Sequence, residues 1–415
     1  MHYSVFNLVR NAFSGHRHWQ PAWRFPEPKK SYDFVIVGGG GHGLATAYYL
    51  AKLHGAKRVA VIDKGPIGLG NTGRNTTVVR SNYLIDDSAA LYEHSLKLWE
   101  SLSQELNYNQ MFSQRGVLAL AFTRHELAEM ERRVAALRLN GVDSEMLTLA
   151  DLARWVPILD LSRELRYPVY GGMVQRRGGN ARHDAVAWGY ARAADALGVD
   201  ILQHCPVTSI RVENGRATGV ETARGFIGAG TIGVAAAGHV TTILETAGVP
   251  LPIQSFALQA MVSEPIKPVL DTVIMSGLVH CYVSQSDKGE LVLGASRDTY
   301  ASYAQRGSYQ VNEDTMRAML ELFPIFSRVR MLRQWAGIVD VTPDLSPIIG
   351  ATPVDRLYVN CGWGTGGFKA TPGSGWVFAH TLAHGAAHRL NEPFGLDRFV
   401  TGRLIDESAA AGVSH

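Results

Sequence analysis

Little in this chain is extreme, and what is scarce narrows its class. Only three cysteines, Cys205, Cys281 and Cys361, occur in 415 residues. Odd in number and far apart, they suggest neither a disulfide framework nor a zinc cluster, and a reducing, cytoplasmic setting fits best. No run of about 18 apolar residues reads as membrane-spanning, and residues 1–30 lack the apolar stretch of a signal peptide, so no membrane is expected. An excess of one charge is also missing. Lys plus Arg number 40 against 37 Asp plus Glu, too even a balance to predict nucleic acid or another polyanion as partner. Charged residues make up 19% and hydrophobic residues 46%. That excludes a disordered coat and predicts a soluble globular protein of two or more domains.

What is present begins at Asp33. An apolar strand over 34–37 meets a glycine loop, a helix of small residues follows, and a second apolar strand over 59–62 ends at Asp63. Gly38, Gly40 and Gly43 have G-x-G-x-x-G spacing, with Asp63 at 63 − 43 = 20 residues beyond the last. Such glycines let the backbone approach a pyrophosphate at the helix start, and the acid can accept from a ribose hydroxyl. The plainer alternative is a turn that only packs helix on sheet. Near the other end, a strand from Leu357 enters CGWGTGGFK (361–369), then Lys369 and a helix. A second loop of this kind can aim backbone N–H groups and a helix dipole at charge developing on a bound ring, or be no more than a glycine-rich connection from strand to helix. A nicotinamide enzyme has no evident use for it, whereas a flavin does.

Between these loops, helical spacing marks 89–100 and 123–140, Thr148 is placed to cap a short helix before Pro157, and a helix runs from Asp184 to Leu197. Strands are expected over 199–212, after the turn at 213–216, and over 231–239. Residues 250–335, including a run from His280, alternate as in a separate antiparallel sheet. The N-terminal 28 residues show no helical or strand period and read equally as a loose tail or as an arm across a partner subunit. The fold class is therefore α/β (α+β), a Rossmann-like βαβ domain interrupted by a substrate domain with an antiparallel sheet. The division is an arm (1–30), a nucleotide-binding domain (31–110, 168–248, 336–390), a substrate domain (111–167, 249–335) and a C-terminal tail (391–415). One loop stands apart. RRGGNARHD (176–184) delivers His183 to the start of its helix, and the loop alone leaves open a surface histidine, a capping group or an imidazole held towards a ligand.

The order of these pieces is telling. GNTGRNTTVVR (70–80), SQRGV (113–117), AAGH (236–239), WAGIVDVTPDLSPIIG (335–350) and CGWGTGGFK (361–369) follow the first glycine loop. In that sequence they resemble the D-amino acid oxidase and sarcosine oxidase family of flavoproteins. Within it, RHD (182–184) is similar to the branch whose members are two-flavin subunits of bacterial heterotetramers. The resemblance implies FAD along Gly38, Gly40, Gly41, His42 and Gly43, with Asp63 at the ribose, where Glu is commoner. It places Asn71, Thr76 and Val78 at the pyrophosphate and ring, Val207 at the adenine, and Gly364, Gly367 and Lys369 at the reactive end. No cysteine occurs over 341–344, where single-chain relatives anchor FAD, so FAD is expected to be noncovalent. The RHD match implies FMN bonded to His183, with Arg176, Arg177 and Arg182 near its phosphate.

By the same resemblance, Lys369 and Arg80 would hold the carboxylate of sarcosine as its methyl group is oxidised to formaldehyde. FAD would pass the electrons to FMN, and FMN to oxygen, giving hydrogen peroxide. Alpha, gamma and delta subunits would complete the assembly, one of them taking the one-carbon unit on tetrahydrofolate. Single-chain relatives carry arginine where Thr77 stands, so the substrate end differs. Rival readings are an oxidase or dehydrogenase of glycine, dimethylglycine or a D-amino acid, a noncatalytic flavin-binding assembly subunit, and an NAD enzyme.

Overall fold

The computed structural model describes residues 4–17, 19, 21–278 and 281–406. Residues 1–3, 18 and 20 of the arm, His280 of the run expected to start there, and 407–415 of the C-terminal tail lie outside the described residues.

The βαβ unit forms as the sequence indicates. Strand Ser31–Val37 leads into helix Gly41–His54, and strand Val59–Ile62 returns parallel to the first. Strands Gly225–Val234 and Leu357–Cys361 extend this sheet on one side and Asp200–Leu202 on the other, all parallel, with Ile348–Ala351 antiparallel at the edge. Parallel strands buried on both faces need no polar alternation, hence runs such as Val59–Ile62 in which every residue is buried. The hairpin Val207–Glu213 and Arg216–Thr222 turns at Asn214 and Gly215, whose positive φ values of 51° and 77° suit a tight two-residue loop.

A second eight-stranded sheet has the order Met331–Val341, Gln254–Pro265, Glu290–Arg297, Cys281–Gln285, Val273–Ser276, Val117–Ala121, Gly171–Gln175 and Glu145–Leu147. Every pair is antiparallel except Val273–Ser276 with Val117–Ala121. Gly171–Gln175, inside the 168–248 stretch, pairs in this sheet, and Met331–Val341 runs through the 335/336 division. A strand's neighbours, rather than its own residues, decide which sheet it joins.

Two helices depart from the sequence reading. Tyr309–Leu322 interrupts the alternating region and buries Thr315, Ala318, Met319 and Leu322, a spacing of three and four. In the arm, Val5–Phe13 is helical, with Val5, Phe6, Leu8 and Phe13 exposed. Its short period is diluted when read together with the aromatic and basic residues that follow. Among the described residues no helix is long and apolar enough to cross a membrane, and Cys205, Cys281 and Cys361 are buried and unpaired.

The site is positioned by helix Gly41–His54 lying against helix Gly367–His384. Gly375 allows the approach: a Cβ there would fall 2.4 Å from the Ala45 Cβ and 2.8 Å from the Ala45 backbone carbon. Gly375→Ala is expected to destabilise the fold by about 1–3 kcal/mol through overpacking. Gly350→Ala, whose Cβ would meet only Gly395 at 3.8 Å, serves as the control. Thermal unfolding of both variants checks this; equal melting temperatures would contradict it.

Candidate functional site

Both helix starts open on one cavity of about 810 Å³. Gly38, Gly40, Gly41, His42, Asp63, Asn71, Thr76, Val78, Arg80, Val207, Gly364, Gly367 and Lys369 line it. Gly43 does not, and the reason is steric. A Cβ on Gly43 would lie 1.9 Å from the carbonyl oxygen of Gly38, so its bareness serves close packing of helix on strand. His183 is not among the lining residues either.

At the nucleotide end, the two Asp63 oxygens accept from the N–H groups of Gly39 (2.7 Å) and Gly65 (2.8 Å). Burial outweighs these bonds and raises the carboxyl above its usual range. Neither helix start carries a side-chain cap or an acidic residue in its first turn. Thr72 meets one free group, its hydroxyl accepting from the Gly41 N–H at 2.9 Å. Two uncapped N-termini facing one cavity suit a dinucleotide with negative charge at its pyrophosphate and ring ends. On this donor set the residues present fit FAD.

The two loops are tied by a polar chain. Trp363 donates from its indole nitrogen to Asn360 (2.7 Å), Asn360 donates to the Ser374 hydroxyl (2.8 Å), and that hydroxyl is left to donate to His42 Nδ1. His42 also stacks on Trp363, with ring centroids 4.9 Å apart. Desolvation pushes its imidazole down to about 4, so it is neutral at neutral pH. Asp340, buried behind the second loop, accepts from the Gly362 N–H at 2.5 Å, and its carbonyl accepts from Gly364 at 2.9 Å. Among the described residues no cation pairs with it, and burial raises this carboxyl to about 6.

At the ring end, Lys369 stands in the first turn of its helix and donates to the Thr365 carbonyl at 2.9 Å. Ser95 and Trp99 each donate to the Lys369 carbonyl at 2.8 Å, and the Gly373 N–H donates to the Ser95 hydroxyl at 3.2 Å. Desolvation, then the like charge of Arg80, hold the Lys369 ammonium well below its usual pKa. Arg80 is itself buried, donates to Asn82 at 2.7 Å and lies over the Tyr83 ring at 4.6 Å. Thr77, between them and the first loop, is β-branched yet has φ 68°, a strained conformation of the kind found where backbone must serve a site.

Tyr282 and Arg297 are among the lining residues that sequence reasoning misses. Tyr282 shares a 2.6 Å hydrogen bond with Thr76, and burial pushes its phenol up to about 12. Gly294 on the neighbouring strand makes room for it, since a Cβ there would strike the Tyr282 ring at 1.6 Å. Arg297, on the same sheet, also faces the cavity. Neither belongs to a local motif, so only the sheet pairing could reveal them.

His183 begins helix His183–Ala196, is partly exposed, and its Nδ1 accepts from the Asp184 N–H at 2.8 Å. The three arginines expected at a phosphate are instead held by carboxylates: Arg176 by Glu145, Arg177 by Glu93 and Glu100, and Arg182 by Asp184. The glycines before His183 are needed for packing rather than looseness, because a Cβ on Gly179 would lie 1.8 Å from the Ser113 carbonyl oxygen. The loop is nonetheless coupled to the cavity: Gly179–Asn180 pairs with Val78–Val79, which leads directly to Arg80.

The profile of the DAO family, FAD dependent oxidoreductases, matches residues 33–381, and the chain belongs to that family. Within it, the chain resembles proteins named sarcosine oxidase subunit beta. It is 55% identical to that of Rhodobacter capsulatus, over 100% of this chain and 99% of the other. It is 58% identical to that of an Arthrobacter species, over 95% and 97%. Among solved structures, L-proline dehydrogenase from P. horikoshii superposes with a TM-score of 0.85 at 27% identity, over 91% of this chain and 100% of that one. Glycine oxidase from Geobacillus kaustophilus shares the fold, with a TM-score of 0.80 at 22% identity over 89% and 99%.

The depressed His42 pKa gives a signed expectation. Unfolded, the imidazole titrates near 6.5; folded, near 4. Between these values the unfolded chain binds more protons, so His42 contributes stability that is complete above about 6.5 and lost as pH falls towards about 4. The contribution is on the order of 3 kcal/mol. Melting temperatures between pH 7 and 4.5 should fall less steeply for His42→Gln than for the native protein; parallel slopes would exclude the effect.

Proposed function

We propose that this flavoprotein oxidoreductase demethylates sarcosine, consuming dioxygen and water and yielding glycine, formaldehyde and hydrogen peroxide. The observation that carries the reading is the pairing of two buried cations, Lys369 and Arg80, at the end of a cavity whose other end is built for a nucleotide. End-to-end similarity to proteins named sarcosine oxidase subunit beta supports the choice of substrate. When bound, the flavins would supply acceptance of two electrons from the substrate amine and their delivery to oxygen.

In this reading the chain's own residues bind and orient. Lys369, held in place through Thr365, and Arg80, held through Asn82, grip the carboxylate. A small amino acid has no other charged group once its amine is neutral, so two fixed cations suffice to set its direction. The uncapped start of helix Gly367–His384 offers N–H groups to negative charge on the ring. FAD is held noncovalently by the residues of the first loop, Asp63, Asn71, Thr76, Val78 and Val207, with Gly364 and Gly367 at its reactive end. His183 carries a second, covalent FMN through its imidazole. The loop joining His183 to the strand before Arg80 supports close placement of the two flavin sites.

Alpha, gamma and delta subunits complete a cytoplasmic heterotetramer, one of which passes the one-carbon unit to tetrahydrofolate. The relatives' designation as a subunit and the exposed apolar face of helix Val5–Phe13 support an assembly.

Lys369→Met is expected to lower kcat/KM for sarcosine on the order of 100-fold, since carboxylate misplacement removes the reacting geometry. Steady-state oxygen uptake measures this, and a change under threefold would defeat the assignment. Acid precipitation of the assembled protein should leave one flavin attached to a peptide containing His183, and none in His183→Ala. A colourless native pellet would reject covalent attachment. Anaerobic sarcosine should bleach the noncovalent flavin; glycine or dimethylglycine doing so in its place would reassign the substrate.

A further inference from the structure

Arg297 ends strand Glu290–Arg297 and stands in register with Leu258 of the neighbouring strand; both line the cavity. Its guanidinium lies 4.2 Å from the centroid of Phe256. Among the described residues it makes no hydrogen bond and no ion pair, in contrast to Arg176, Arg177 and Arg182. Burial alone lowers its pKa from the ordinary arginine value. Arg297 also borders a small void with Tyr83, Trp363 and Gly364. It therefore sits beside the second glycine loop and beside the ring that carries Arg80. A half-buried guanidinium with an aromatic face beneath it and no counter-charge is costly unless an anion arrives.

Arg80 and Lys369 already suffice for the carboxylate of a monocarboxylic amino acid. The acid nearest in the chain, Asp298, is occupied elsewhere: its Oδ1 accepts from Gln259 at 2.6 Å and from Ser308 at 3.2 Å. Arg297 is therefore not needed for a single carboxylate, and the carboxyl of Asp340 is turned to the backbone of the second loop rather than to it.

We infer that Arg297 forms a second anion subsite in the substrate half of the cavity, fitted to the distal carboxylate of a secondary amine bearing two carboxylates. Such a ligand places one carboxylate on Arg80 and Lys369 and the other on Arg297, with the amine between them. The inference rests on the proposed reading of Arg80 and Lys369 as the primary carboxylate site. It involves binding alone and adds no chemical step.

Two thioethers test it, because sulfur replaces the oxidisable amine: methylthioacetate with one carboxylate and thiodiacetate with two. Each is titrated into the flavin-loaded assembly and followed by the flavin visible spectrum. Thiodiacetate is expected to bind about tenfold or more tightly than methylthioacetate, the size of one charge-assisted contact. Arg297→Met should bring the ratio close to one, while Arg297→Lys keeps part of it. An unchanged ratio in Arg297→Met overturns the subsite, as does native binding that shows no preference for thiodiacetate. Loss of FAD from Arg297→Met would assign the residue to the cofactor and equally overturn it. If neither thioether perturbs the native spectrum, the primary carboxylate site fails and the subsite with it; preference-free binding removes only Arg297.

Discussion

Everything at the site depends on two helix starts being brought to one place. Helix Gly41–His54 and helix Gly367–His384 begin more than three hundred residues apart, yet their axes approach closely enough that Gly375 has no room for a side chain beside Ala45. That approach lets His42 of one helix reach Ser374 of the other and stack on Trp363. A helix N-terminus alone is a weak anion site. Two of them, uncapped and locked together by a buried neutral imidazole, define the distance between a pyrophosphate position and a ring position.

The second loop is held by a different device. Asp340 accepts from Gly362 and, through its carbonyl, from Gly364, so a carboxyl shapes the backbone instead of pairing with Lys369 or Arg80. Keeping that carboxyl apart matters. An ion pair with either cation would satisfy it and leave nothing for an incoming carboxylate. Lys369 is likewise fixed by a neutral carbonyl, that of Thr365, which orients the ammonium without cancelling its charge. Farther out, the buried pair of Arg398 with Asp344 (2.8 Å) braces the turn that follows Asp340. There full neutralisation is appropriate, since no ligand is received.

How much of this is legible in the sequence follows from the range of each interaction. Gly38, Gly40 and Asp63 are readable because a backbone turn and a strand end impose residue types within one βαβ unit. Lys369 is readable because its loop compresses strand, turn and helix into a few residues. Tyr282 is not: its role depends on Thr76, some two hundred residues earlier, and on the bare Gly294 across the sheet. The ion pairs of the arginines before His183 are unreadable for the same reason. A basic run beside a candidate flavin histidine suggests a phosphate, but Glu145, Glu93 and Glu100 come from elements whose proximity no local pattern announces. The helix Val5–Phe13 escapes notice because none of its residues is buried among the described residues, so burial does not mark its limits.

The electrostatics of the cavity also explain why its cations are buried rather than merely present. In water, a lysine and an arginine would attract a carboxylate weakly and from any direction. Taken out of water, Lys369 is driven towards its neutral form by burial and by Arg80. The arrival of an anion opposes both effects: it favours the charged ammonium and relieves the repulsion between the two cations. Binding and protonation of Lys369 are thus linked, and the free energy of one is carried into the other. The site is least comfortable when empty and most settled when a carboxylate lies between its cations. The fold tolerates that discomfort because Ser95, Trp99 and Asn82 hold the two side chains and their backbone in place beforehand. Ligand binding then spends little on ordering and gains the relief of a charge already buried.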